Sequence, residues 1–199
     1  MKCLDRAKSR LAPPGGVDRT ELALAFALDT AMTARSVTSV TVVCDDARIG
    51  AAMARESIDV TSDGAATDLN EAVRFVTAGL GRRPIAVLTA DLPAIRSGEL
   101  RDALRRGRGH ATAFVTDAEG TGTVLLMGGA DLLRPRFGSG SAERHRDTGA
   151  VELTGDWPGL RRDVDTLAHL RSATTLGVGP RTARLLSGIG PAMRALDHV

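Results

Sequence analysis

The chain reads as an α/β protein, a three-layer α/β/α arrangement around a mostly parallel sheet. Three observations carry that reading. Short β-branched or apolar runs alternate with segments whose apolar residues recur at helical spacing. The clearest run, residues 84–90, is apolar almost throughout, as expected of a strand covered on both faces. At 199 residues, with 43% hydrophobic and 25% charged residues, the chain has the composition of one globular domain with a sizeable core.

After a loop at residues 13–16, Asp18-x-x-Glu21 has the form of a capping box and opens a helix reaching about Ala34. Residues 39–44 alternate and are β-branched, which predicts a strand. A short helix over 47–56 and a short strand over 58–60 follow. Residues 61–68 are polar and predict a loop, and apolar spacing predicts a helix over 69–80. The 84–90 strand ends on Asp91. A helix over 98–106 leads to strands near 111–115 and 123–127, then a loop and short helix to a strand over 151–154. Residues 160–164 read as a further strand entering Asp165 and Thr166, where Thr166 can cap a helix to Leu176. No repeat or long linker divides the chain, so residues 1–199 are expected to form a single domain.

Composition removes several function classes. Aromatics are 3% with no tyrosine, which leaves few platforms for stacking single-stranded bases. A net charge of +2 is too small to imply a polyanion partner. Two cysteines, Cys3 and Cys44, are too few for a disulfide scaffold and lack metal-ligand spacing, so reduced thiols in a cytoplasmic protein are expected. No apolar run approaches the ~20 residues that span a bilayer, and no signal-peptide core opens the chain.

Ligands of open α/β sheets bind beyond the carboxyl ends of the strands. Two acidic features fall at such ends, Asp91 and the pair Asp163 and Asp165. Carboxylate oxygens completed by substrate phosphates are the usual way to hold Mg²⁺, and strand alternation would put Asp163 and Asp165 on one face. Simpler readings exist: Asp91 as a turn former before Leu92-Pro93, and Asp165 as a helix cap. The basic residues add weight to the metal–phosphate reading. Of 26, only Lys2 and Lys8 are lysine, and a mobile ammonium suits a phosphate that moves during reaction. The glycine clusters at 120–123 and 137–141 could present backbone N–H groups to an anion, although most such loops are turns. Neither a phosphate-binding Gly-x-x-x-x-Gly-Lys-Ser/Thr loop nor an ordered Gly-x-Gly-x-x-Gly after the first strand occurs, which argues against P-loop NTPases and dinucleotide dehydrogenases.

Several stretches together resemble a known family: Lys2-x-Leu4-x-x-Ala7-Lys8-Ser9-Arg10-Leu11, Leu69-Asn70, Leu88-Thr89-Ala90-Asp91-Leu92-Pro93, Gly120-Thr121-Gly122-Thr123, Arg136-Phe137-Gly138-x-x-Ser141-x-x-x-His145 and Asp163-Val164-Asp165-Thr166. The family is the guanylyltransferases of coenzyme F-420 biosynthesis, which activate 2-phospholactate or phosphoenolpyruvate. The actinobacterial phosphoenolpyruvate enzymes look closest, through residues 134–138, 149–155 and 157–160. The resemblance implies a nucleotide-diphosphosugar transferase-like fold and transfer of GMP from GTP to phosphoenolpyruvate with release of pyrophosphate. It implies metal binding by Asp91, Asp163 and Asp165, and acceptor binding by Thr123, Gly138 and Ser141. Lys2, Lys8, Arg10 and Asn70 then face the nucleotide, with Lys8, Arg10 and Asp91 in catalytic roles. Mg²⁺ is the implied cofactor and GTP the co-substrate, the partners being small molecules with no membrane; a homodimer is left open. The family also places a β-strand ahead of the first lysine. Met1 stands where relatives have a valine, so the first strand is expected to be missing, through a misassigned start or a truncation.

Other readings remain. Within the family the alternative acceptors are 2-phospho-L-lactate and 3-phosphoglycerate, and another nucleotidyltransferase of the same fold is the nearest enzymatic alternative. From a different class, residues 176–186 resemble a helix-hairpin-helix nucleic-acid element, in which a Gly-x-Gly turn offers N–H groups to a phosphate. The plainer reading is a glycine helix stop followed by a helix started at Pro180. Nucleic acid is the disfavoured partner, because one hairpin with few lysines gives little phosphate affinity. His145 could reach the acceptor or be structural, the 105–110 arginine run suits a solvated helix end, and Trp157 suits packing.

Overall fold

A computed structural model describes Leu11 and residues 16–187. Helix α1 (Arg19–Arg35) starts where the capping motif predicts, with the Asp18 carboxylate accepting from the Thr20 N–H at 2.7 Å. Strands β1 (Thr41–Val43) and β2 (Asp59–Thr61) pair in parallel around the crossover helix α2 (Ala47–Arg55). Helix α3 (Leu69–Thr77), capped by Asp68, leads to β3 (Pro84–Leu88), α4 (Ser97–Gly107), β4 (Thr112–Thr116) and β5 (Thr123–Gly129). The remainder is α5 (Ser141–Asp147), β6 (Val151–Glu152), α6 (Pro158–Arg161), α7 (Leu167–Leu176) and α8 (Pro180–Ser187).

The larger sheet has the order β3-β5-β4-β6. β5 runs antiparallel to both neighbours, and β4 and β6 are parallel, so β3, β4 and β6 share one direction. β1 and β2 are likewise parallel, so β5 is the one described strand that runs against the others of its sheet. The reversal of β5 has a local cause: six residues separate β4 from β5, far short of the dozen or more that a parallel crossover requires.

Alternation along the strands produces the layers. Ala113, Val115, Leu125 and Met127 point to one face and pack with Leu100 and Ala103 of α4. Phe114 and Leu126 point to the other, against Val73 of α3 and Ala142 of α5. β3 follows the same rule, with Leu88 on the α4 face and Ile85 and Val87 opposite. Among the described residues β3 pairs only with β5. It is accordingly less buried than its apolar run suggests, Pro84 and Ala86 being exposed. The expected missing strand concerns chain outside the described residues.

One element departs from expectation. Residues 160–164 are not a strand. Pro158 at the first turn of α6 supplies a helical φ, and Glu99 of α4 accepts from the N–H groups of Gly159 (3.1 Å) and Leu160 (2.8 Å), which makes one helical turn. Leu160 and Val164 are both fully buried, four residues apart, in two separate core clusters. Trp157 also packs, its indole N–H donating to Asp102 at 3.0 Å with the Arg106 guanidinium over its ring. The arginine run ends α4 as a solvated turn, Arg105 and Arg106 pairing with Asp102.

Candidate active site

The segment after β3 is held by several distant parts of the chain. The Asp91 carbonyl accepts from the Val164 N–H at 3.1 Å, and the Pro93 carbonyl from the Gly179 N–H at 2.8 Å. The Leu92 N–H donates to Thr30 Oγ1 of α1 at 3.1 Å, while that hydroxyl donates to the Phe26 carbonyl at 2.7 Å. Gly159 passes so close that a Cβ there would lie 2.2 Å from the Ala94 carbonyl oxygen, which explains a glycine at that position. These contacts bring the Asp91 carboxylate to those of Asp163 and Asp165, with one oxygen of each within 4.8 Å of the others. Thr166, rather than Asp165, caps α7, accepting from the His169 N–H at 3.2 Å. The strand geometry expected for Asp163 and Asp165 is absent, yet the convergence occurs, because Val164 is drawn inward onto Asp91.

A second triad of carboxylates, Asp117, Glu119 and Asp163, shares Asp163 with the first. Asp117 is already committed. Its two oxygens accept from the Thr121 and Gly122 N–H groups at 2.9 and 2.8 Å and brace the β4–β5 turn. The 120–122 glycine cluster is therefore a hairpin turn, its Thr121 and Gly122 N–H groups directed at Asp117. Glu119 pairs with Arg162. The all-oxygen set of Asp91, Asp163 and Asp165 matches what Mg²⁺ prefers.

Thr123 opens β5 just beyond that turn, and Ser141 opens α5, both buried. Gly138 adopts φ +118° and Gly140 φ +69°, conformations that favour glycine, which sharpen the bend from Phe137 into α5. Asn70 braces this bend with both ends of its amide. Its Oδ1 accepts from the Phe137 N–H at 2.7 Å and its Nδ2 donates to the Phe137 carbonyl at 3.2 Å. Arg144 adds bonds to the Arg136 and Ser139 carbonyls. Thr123 and the bend are joined by His145, whose Nδ1 lies 2.8 Å from Thr123 Oγ1 while its Nε2 accepts from the Arg136 N–H at 3.0 Å. Burial, with the nearby Arg144 and Arg136 guanidiniums, lowers the His145 pKa to about 4.

Lys2, Lys8 and Arg10 lie outside the described residues, as does Cys3. Cys44 is a buried free thiol, its pKa raised chiefly by burial. The helix-hairpin-helix reading meets a specific obstacle. The Arg181 and Thr182 N–H groups at the start of α8 donate to the Asp29 carboxylate at 3.2 and 2.9 Å, and Gly179 donates to Pro93. The backbone donors that a nucleic-acid phosphate would need are directed into the protein. Sequence reasoning did not single out Asp29 or Thr30; helical spacing places them inside α1, and no local motif marks a long-range acceptor. Among the described residues no helix is long and apolar enough to cross a membrane.

Comparison with known proteins bears on the family and the fold. A phosphoenolpyruvate guanylyltransferase of Mycolicibacterium gilvum is 46% identical over 197 residues, covering 94% of this chain and 92% of that protein. One of Geodermatophilus obscurus is 45% identical over 196 residues, covering 94% and 91%. Among solved structures, a protein described as a nucleotide-diphospho-sugar transferase from Desulfovibrio desulfuricans G20 superposes with TM-score 0.69 at 19% identity, covering 96% of this chain and 91% of that one. A nucleotidyl transferase from Methanothermobacter superposes with TM-score 0.57 at 18% identity, covering 84% of each chain. These two likenesses show the fold, a nucleotide-diphosphosugar transferase-like α/β/α sandwich. The family model for CofC-like guanylyl transferases matches residues 1–151. The chain therefore belongs to the CofC-like guanylyl transferase family.

Proposed function

We propose that this protein transfers GMP from GTP to phosphoenolpyruvate, releasing pyrophosphate, in coenzyme F-420 biosynthesis. The observation that carries the reading is the convergence of Asp91, Asp163 and Asp165 beyond the end of β3. The relatives' names supply the acceptor. In the proposed reaction a phosphate oxygen of phosphoenolpyruvate attacks the α-phosphorus of GTP, the bond to the β-phosphate oxygen breaks, and pyrophosphate leaves. No covalent enzyme intermediate is needed, since holding two anions in line accounts for much of the barrier.

Each group has an assigned task. Asp91, Asp163 and Asp165 hold Mg²⁺, which when bound neutralises phosphate charge and lets two anions approach. Thr123, Gly138 and Ser141 receive the carboxylate end of the acceptor. Lys2, Lys8 and Arg10 serve the nucleotide phosphates, with Lys8 and Arg10 stabilising charge on the departing pyrophosphate. Asn70 serves the same site by fixing the Phe137 backbone. Asp163 links the two halves: it converges with Asp91, and it also converges with Asp117, which braces the turn leading to Thr123.

The test incubates purified protein with Mg²⁺, GTP or ATP, and phosphoenolpyruvate, 2-phospholactate or 3-phosphoglycerate in turn, and measures pyrophosphate release. GTP with phosphoenolpyruvate should be the most active pair. Asp91→Asn should lose at least a hundredfold in turnover while keeping its circular dichroism spectrum and thermal midpoint. Near-normal turnover in that variant would sink the metal assignment; faster release with another acceptor would overturn the substrate.

A further inference from the structure

Among the described residues His145 is the one histidine with no exposed surface, and each of its ring nitrogens has a single partner there. The Arg136 backbone N–H can only donate, so Nε2 must present a lone pair to it. A neutral imidazole with a lone pair on Nε2 carries its proton on Nδ1. The 2.8 Å contact is then an Nδ1–H donated to Thr123 Oγ1. Burial and two neighbouring guanidiniums keep the ring neutral. Phe114 and Phe137 flank it, their ring centroids 5.7 and 5.3 Å away, and fix its plane.

This settles what Thr123 can offer. A hydroxyl has one proton to give and lone pairs to receive. The imidazole N–H fills a lone pair, and among the described residues Thr123 Oγ1 makes no other hydrogen bond. The hydroxyl proton is left for a ligand that accepts, and the only other capacity remaining on the oxygen is its second lone pair. The same ring joins three segments: β5 through Thr123, the bend to Gly138 through Arg136, and α5, where Ser141 lies one turn before His145. We propose that His145 is a positioning residue of the acceptor site: its Nδ1–H orients the Thr123 hydroxyl as a donor and thereby selects a carboxylate. The inference rests on the proposal that Thr123, Gly138 and Ser141 hold the acceptor.

Two measurements test it. Long-range ¹H–¹⁵N spectra of the labelled full chain at pH 7 report which ring nitrogen is protonated. An Nδ1–H tautomer is expected; an Nε2–H tautomer or an imidazolium overturns the proposal. Pyrophosphate release then gives KM for phosphoenolpyruvate and for GTP in the wild type, Thr123→Val, His145→Leu, His145→Asn and the Thr123→Val/His145→Leu double variant. A lost hydrogen bond to a charged group should raise KM for phosphoenolpyruvate roughly tenfold in each of Thr123→Val and His145→Leu. KM for GTP should stay within about twofold. The double variant should be no worse than Thr123→Val alone, because His145 acts through that hydroxyl. His145→Asn, which keeps an N–H near the Nδ1 position, should recover most of the loss. Additive effects in the double variant, or KM for GTP rising in step, would reduce His145 to structural support. Unchanged KM in Thr123→Val would instead overturn the acceptor assignment and this proposal with it. If His145→Leu does not fold, the tautomer and the His145→Asn constants decide.

Discussion

Acidification should weaken this fold through His145 in a window set by its own titration. The imidazole pKa falls from an ordinary 6.5 to about 4 in the native protein. Between those values the unfolded chain binds a proton that the native ring refuses, so stability falls as pH falls from 6.5 and the loss is complete near 4. At ~1.4 kcal/mol per pH unit the whole window is worth about 3 kcal/mol, a large share of the ~5–15 kcal/mol that stabilises an ordinary domain. Urea unfolding at pH 7, 6 and 5 measures it. Carboxylates titrate in the same range, so the informative quantity is the stability difference between wild type and His145→Leu. By pH 5 that difference should shrink by about 2 kcal/mol relative to pH 7, because the leucine variant has no imidazole to protonate. A difference that stays constant across the three pH values would refute the buried neutral imidazole, whatever the absolute stabilities.

Variants at two further residues probe the long-range supports. Asp29→Ala leaves the Arg181 and Thr182 N–H groups without their acceptor in a buried setting, and should cost about 2–4 kcal/mol in urea unfolding. Asp29→Asn, which keeps an acceptor oxygen, should recover part of that; a loss below about 0.5 kcal/mol in the alanine variant would show that α8 is anchored by its apolar contacts alone. Asn70→Ala removes both bonds to the Phe137 backbone and should raise KM for phosphoenolpyruvate more than KM for GTP. A rise confined to GTP would mean that Asn70 meets the nucleotide directly.

What was legible in the sequence follows the range of the interaction that decides each feature. Capping at Asp18, the helix over α2 and the apolar β4 and β5 strands depend on neighbours within a few residues, and their patterns predict them. Trp157 in packing and the arginine run as a solvated helix end were readable from residue type. The 160–164 segment misled because a short apolar run suits a strand or a helical turn equally. What decides between them is Glu99, some sixty residues away, whose carboxylate supplies the acceptors for the first turn of α6. The antiparallel β5 was hidden only by the assumption that strands here alternate with helices; the six-residue connection itself permits little but a hairpin.

The candidate site was legible in a different sense. Its side chains can be named from the sequence, but nothing local predicts their convergence. Asp91 is placed by Thr30 through Leu92, by Gly179 through Pro93, and by Val164 through its own carbonyl, and each of these bonds spans a large part of the chain. The three carboxylates meet within 4.8 Å because long-range backbone bonds fix the segment that carries Asp91. Backbone bonds to buried carbonyls suit the task, since breaking one exposes a polar group to an apolar interior and the carboxylates cannot drift apart singly. Conversion of Thr30 to an apolar residue would leave the Leu92 N–H with no acceptor one residue from Asp91. The helix that opens the described fold thereby bears on the position of Asp91, three residues beyond β3, although Thr30 itself is buried within α1.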